Sequence, residues 1–325
     1  MILRQILSGR ALRTTFLSGL LGLLASLFGL SPGFCDDGVT VSSEGQATGV
    51  AEASAALTEE PLGDEAVERQ VTLADVLKTA KAALHRFDQQ VTNYTCLLIK
   101  RERIDEVLHD HQYIWMKVRE RQKVDQELVI PLSIYARFLK PPSLAGREVL
   151  FVENQRNGFF LTRRGGPRFP NMTLLINPTS PLARRESRYP IHQAGLRSML
   201  RELVTRLEAE EQEGTALLRL SHNATFEGKA CTRFEVRQTE QRPDSDYMIA
   251  RVLMEDESQI PVYFASYDWP ATPEGRPVLQ EEYMFTRMSL NPGLTDKDFQ
   301  RDNDEYSFSA RVETREEAES ATGPE

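Results

Sequence analysis

Residues able to do chemistry are few in this chain and widely spaced. There are five histidines. His109 and His111 stand two apart, so on a strand both would project from one face, as two ligands of one metal ion must. No third ligand follows at a metal-site spacing and the pair sits beside a turn. Solvated turn residues are the expectation, and no metal site is assigned. His192 behind Pro190 and His222 in an alternating stretch are read as local hydrogen-bonding groups. The chain has no Gly-x-Ser-x-Gly elbow, no His-Glu-x-x-His and no glycine-rich phosphate loop. Among 48 acidic residues no catalytic pair stands out. The expectation is therefore no enzyme, no catalytic residue and no cofactor.

Two other groups carry chemistry. Arg163, Arg164 and Arg168 flank Gly165-Gly166, and Arg184, Arg185 and Arg188 precede an apolar-periodic stretch. Brought together, these six charges would form a basic patch for phosphate head groups or another polyanion. The alternative is solvated loop tips paired with the many acids. Cys96 and Cys231 remain once Cys35 is assigned to an unpatterned N-terminal region. In an oxidising compartment this even pair is a disulfide candidate, with two buried, unlinked thiols as the other reading.

The compartment is suggested by residues 1–33. Arg4, Arg10 and Arg13 precede an apolar run over 16–30, and Ser31-Pro32-Gly33 breaks it. That is the layout of a secretory signal peptide, and the run is shorter than the roughly 20 residues of a membrane-spanning helix. An N-terminal membrane anchor is the minor alternative. Removing three arginines and no acid takes the net charge from −9 to −12. Such a chain is a poor general binder of nucleic acid. Residues 36–69 are rich in small and polar residues with no aromatic residue, so 34–70 reads as a disordered linker, and 311–325 as a disordered acidic tail. Residues 71–310 are expected to be one β-rich domain that is periplasmic or extracellular.

Within that domain two helices are expected. One follows Thr72, with Leu73, Val76, Leu77, Ala80, Leu84 and Phe87 as its stripe; the other covers 193–211, with Leu196, Met199, Leu200, Leu203, Val204 and Leu207. Almost everything else alternates like strands: 94–104, 109–119, 132–139, 147–153, 158–163, 216–226, 229–239, 248–255, 260–267 and 278–288. Asn157-Gly158, Gly165-Gly166 and Glu227-Gly228 supply turn residues that tolerate positive φ. The fold class is α+β: a large antiparallel sheet with about two helices, curved to protect its edges.

Several fragments carry a resemblance to a known family. They are Tyr94-Thr-Cys96, Phe138-Leu-Lys-Pro-Pro142, Gly146-Arg-Glu-Val-Leu-Phe151, Gly293-Leu-Thr-Asp296, Phe299 and Asn303-Asp-Glu-Tyr306. Together, over about 75–308, they resemble the secreted planctomycete-type family called domain of unknown function 1571. That family is in turn distantly similar to periplasmic lipoprotein carriers of the Lol type. The resemblance implies a half-open antiparallel barrel over helices with an apolar cavity, and it supplies no functional residues. Glu106 departs from it, standing where a tight turn after Ile104-Asp105 would place glycine, so a wider hairpin is expected there.

A strongly curved sheet covered by few helices leaves an apolar hollow. Ile114, Met116, Val118, Ile134, Phe138, Phe234, Val236 and Met254 are the candidate cavity residues, with ordinary core as the competing role. The function expected is a secreted cell-envelope binding protein that holds an apolar ligand, a lipid or lipoprotein acyl chain. The alternative is a structural or protein-interaction module with a filled core. Partners would be a lipid or lipoprotein or an envelope protein, with peripheral membrane contact.

Overall fold

The computed structural model describes residues 71–166, 172–213, 216–241, 247–272, 274–309 and 312–314. The expected leader and linker, Arg168, and the tail apart from 312–314 lie outside the described residues. The helices are α1 (Leu73–Gln90), the one-turn α2 (Pro181–Arg184) and α3 (Leu196–Glu213). In α1 the Thr72 hydroxyl accepts the Asp75 N–H at 3.2 Å, and Asp75 places a negative charge in the first turn. Val76, Leu77, Ala80, Ala83 and Phe87 then recur every three or four residues, and all are buried.

The strands in chain order are β1 (Asn93–Ile104), β2 (Val107–Leu108), β3 (Gln112–Arg119), β4 (Gln122–Val124), β5 (Glu127–Ile130), β6 (Ser133–Lys140) and β7 (Glu148–Val152). There follow β8 (Phe160–Arg163), β9 (Thr173–Ile176), β10 (Ala216–Phe226), β11 (Lys229–Gln238), β12 (Ile249–Glu255), β13 (Pro261–Asp268), β14 (Val278–Leu290) and β15 (Val312–Thr314). One sheet runs β10-β11-β12-β13-β14-β1-β3-β6-β7-β8-β9-β15, with β2 paired onto β1. Among the described residues only β9 and β15 pair in parallel. β4 and β5 form a separate hairpin.

The sheet is curved and does not close. Register shifts interrupt five of its ladders, at Thr95/Leu97, Tyr113/Ile114, Ser221/Ala224, Leu253/Met254 and Ser266/Tyr267. Each extra residue bends its strand and increases the local twist. The inner face wraps α1 and α3: Phe87, Leu196 and Leu200 share one core cluster with Phe160 on β8 and Met254 on β12. The outer face is covered near its middle by 291–309, where Tyr306 stacks on Tyr135 at 3.8 Å between centroids. Lys117 and Arg119, on the outward parity of β3, reach Asp298 and Asp296 there. The α+β class and curved antiparallel sheet expected from the alternation are what the chain forms.

The start of α3 is tightly placed. Gly195 has φ +105°, and a Cβ there would lie 2.7 Å from the Tyr94 hydroxyl. That hydroxyl, wholly buried, accepts the Leu196 N–H at 2.9 Å. A donor at a buried helix terminus is thereby satisfied by a strand.

Three expectations are corrected. Cys96 and Cys231 are buried free thiols, not a disulfide. They sit on β1 and β11, separated in the sheet by β12, β13 and β14, whereas a bridge needs Cα atoms within about 7 Å. Burial pushes the Cys96 thiol up to about 12, which leaves it inert. The hairpin at Glu106 is tight rather than wide: Ile104 pairs with Val107, and Asp105 and Glu106 take φ of 49° and 65°. Finally, the tail carries strand at Val312–Thr314 along the edge of β9.

Three outcomes follow and are read by chemical denaturation. Gly195→Ala lowers stability by at least ~2 kcal/mol, through left-handed strain and a displaced Tyr94. Glu106→Gly raises it by about 0.5–1 kcal/mol, because an L residue at positive φ costs more than glycine's extra chain freedom. Burial raises the Glu120 carboxyl to about 7, against the opposing pull of Arg197. Its folded-state value lies above the unfolded one, so the stability it contributes is present below about pH 4.5. That contribution is lost as pH rises to about 7. Glu120→Gln removes this decline; an unchanged slope would contradict the assignment.

Candidate ligand-binding cavity

Residues 177–195 cross the inner face as a strap between β9 and α3. Between strap and sheet lies a cavity of about 620 Å³, within the range of small-molecule sites. Strand alternation supplies its floor: Leu98, Ile114, Met116, Phe138 and Phe285 all point inward. Leu182 and Ile191 of the strap and Met199 and Leu203 of α3 form the roof. The lining reaches from Leu174 on β9 to Val236 on β11, so the space is long and crosses the strands.

Of the eight candidate cavity residues, Ile114, Met116, Phe138 and Val236 line this space. Val118 and Ile134 are wholly buried core beneath the start of α3. Phe234 and Met254 border a second space of about 260 Å³ between α1 and the β10–β12 corner. The alternation found the right face but not where the helices rest on it.

The strap is tied down by a buried polar cluster beside the cavity. Glu102 on β1 stands directly opposite Glu281 on β14, a pairing of like charges that is unfavourable by itself. The Tyr283 hydroxyl lies between them, 2.5 Å from Glu102 and 3.2 Å from Glu281. Lys100 Nζ donates to Glu102 at 3.0 Å and to Ser187 at 3.2 Å. The strap completes the set: the Arg188 N–H donates to Glu102 at 3.2 Å, and the Tyr189 hydroxyl to Glu281 at 3.0 Å. The Arg188 guanidinium stands 3.5 Å from Glu281. Lys100 and these hydrogen bonds outweigh burial at Glu102 and hold its carboxyl below the usual range. At Glu281 burial wins and raises it, opposed by Arg188. Two acids driven apart in this way resemble a catalytic pair. Glu281, however, does not line the cavity, and both its oxygens are occupied from strap and sheet.

Among the described residues, the arginines of the expected patch point different ways. Arg188 turns inward as described, and Arg163 donates to the Gly146 carbonyl at 2.6 Å. Arg184 and Arg185 are exposed at the end of α2. Arg164 instead lines the cavity beside Arg147, which sequence reading did not single out. His111 lies 3.2 Å from Glu282, and the His109 N–H donates to the Glu102 carbonyl. Among the described residues no group of three His, Cys, Asp or Glu is placed to hold a metal ion. Lys100, Glu102, Glu281 and Tyr283 were also missed. Their only sequence signal is that 98, 100 and 102, like 281, 283 and 285, share a strand parity that turns from apolar to charged.

Several solved structures are similar in chain trace. A putative outer membrane lipoprotein-sorting protein domain from Vibrio parahaemolyticus is 12% identical, with 71% of this chain and 98% of that one covered and a TM-score of 0.33. A LolA superfamily protein, NE2245 from Nitrosomonas europaea, is 11% identical over 69% and 98%, with a TM-score of 0.27. A chain of the Pseudomonas aeruginosa MucA/MucB complex is 10% identical over 70% and 60%, with a TM-score of 0.35. No curated protein sequence matches the chain. Residues 91–308 match the model of the family described as a protein of unknown function, DUF1571, which takes in β1 through the segment that covers Tyr135, and the chain belongs to that family.

Proposed function

We propose that this is an exported, non-catalytic binding protein of the cell envelope that holds an apolar chain, a lipid tail or a lipoprotein acyl group, between sheet and strap. The observation that supports this reading is the cavity of about 620 Å³ with a mainly apolar lining, which the described residues do not fill with their side chains. Transfer of each methylene from water contributes about 0.8 kcal/mol, so ten would give ~8 kcal/mol, near micromolar affinity if little is lost on ordering. The length of the space, across the strands, suits an extended chain better than a compact molecule. Export rests on the arginine-led apolar run of residues 1–33.

Native mass spectrometry of protein purified from its own host should show co-purifying lipid, and delipidated protein should take up a fluorescent fatty acid. Ala183→Trp, which projects an indole from the strap into the cavity, should weaken uptake about tenfold or more. Failure of both lipid retention and uptake would contradict the proposal and favour a filled-core envelope module.

A further inference from the structure

The cavity has a charged margin that its apolar floor does not explain. Five cations line it (Lys100, Arg147, Arg164, Arg201 and Arg206) against three acids, Glu102, Glu186 and Glu202. A net positive lining is unexpected in a chain whose net charge is −9. Each acid is matched: Glu102 by Lys100, Glu202 by Arg206 and Glu186 by Arg147. Arg164 and Arg201 are left over.

The β7–β8 ladder pairs Val149 with Thr162 and ends where Glu148 meets Arg163, so Arg147 and Arg164 are the residues just beyond its last rung, one before β7 and one after β8, and both line the cavity. Val149 and Thr162, two positions into the ladder, line the cavity as well. One anion is already drawn to Arg147. Glu186, just beyond α2 on the strap, takes two hydrogen bonds from Arg147, of which the Nη2–Oε1 contact measures 3.4 Å. Glu186 is half exposed while Arg147 is largely covered, its guanidinium over the Phe138 ring at 5.5 Å. Arg164 is exposed, and among the described residues its backbone N–H bonds to Met172 but no acid reaches its side chain.

We propose that Arg147 and Arg164 form an anion seat at the cavity margin for the carboxylate or phosphate of an amphiphile whose tail fills the apolar space, and that Glu186 occupies this seat when the site is empty. The inference rests on the cavity reading above and names the class of guest: an anionic single-chain lipid. Two guanidinium groups on one cavity margin suit a planar carboxylate or a phosphate, each offering at least two acceptor oxygens. Because Glu186 belongs to the strap, an arriving anion releases the strap where it meets β7. The Tyr283 cluster holds it at Ser187–Tyr189.

The test is displacement of the neutral dye Nile red from delipidated protein by oleate, lysophosphatidate and the uncharged monoolein. Oleate and lysophosphatidate should bind at least tenfold more tightly than monoolein, the effect of one or two charge-assisted hydrogen bonds. In Arg147→Gln/Arg164→Gln the ratio of anionic to neutral affinity should fall to about one. Glu186→Gln, which removes the internal competitor, should raise affinity for the anionic lipids about three- to tenfold. It guards against a double variant that simply fails to fold. Inorganic phosphate that displaces lysophosphatidate at submillimolar concentration but leaves Nile red bound would assign the seat to a free anion rather than a head group. Monoolein binding with no preference for the anions, unaltered by the arginine changes, overturns the seat and leaves the cavity standing. If neither Nile red nor monoolein binds, the cavity reading falls, and the seat with it.

Discussion

Two carboxylates, Glu102 and Glu281, are forced side by side by the β1–β14 register and buried together. The rung repels itself and loses hydration, so it persists only if donors converge on it. The sheet supplies Lys100, Ser266 and Tyr283; Arg188 and Tyr189 come from the strap, whose Ser187 hydroxyl accepts from Lys100. At the strap's other end the Tyr94 hydroxyl receives the first N–H of α3, and only glycine at 195 fits beside it. Satisfying buried polar groups at both ends fixes the strap where it is. The apolar space between these anchors results from that constraint.

Much of this architecture is legible in the residues. The period of α1, its Thr72 cap, and the alternation of β10 through β14 lead to the observed elements within a few positions. Glu106 was misread because glycine is the usual residue of such a tight turn, whereas here Ile104 pairs with Val107 and both Asp105 and Glu106 take positive φ. The strap gave little signal. Its prolines and arginines read as loop, and its role depends on contacts with β1 and β14, about 90 residues away on either side in the chain.

The cavity was half legible. Ile114, Met116 and Phe138 alternate inward and line it. Val118 shares their parity yet is sealed beneath the start of α3, since parity assigns a face and not what covers it. The cysteine pairing failed for a related reason: an even count in an oxidising compartment carries no distance, and three strands lie between the two thiols. Arg147 and Arg164 illustrate the converse. Seventeen positions apart in sequence, they reach one cavity margin only because β7 pairs with β8.

The most direct measurement is crystallographic. Delipidated protein would be soaked with a long-chain acid brominated at its far end and the anomalous signal of bromine located. The account places that signal under the strap, between Met116 and Leu182, with the strap still anchored at Tyr94 and Glu281. A strap collapsed onto β3 and β6, with its own side chains filling the space and no bromine inside, would contradict it.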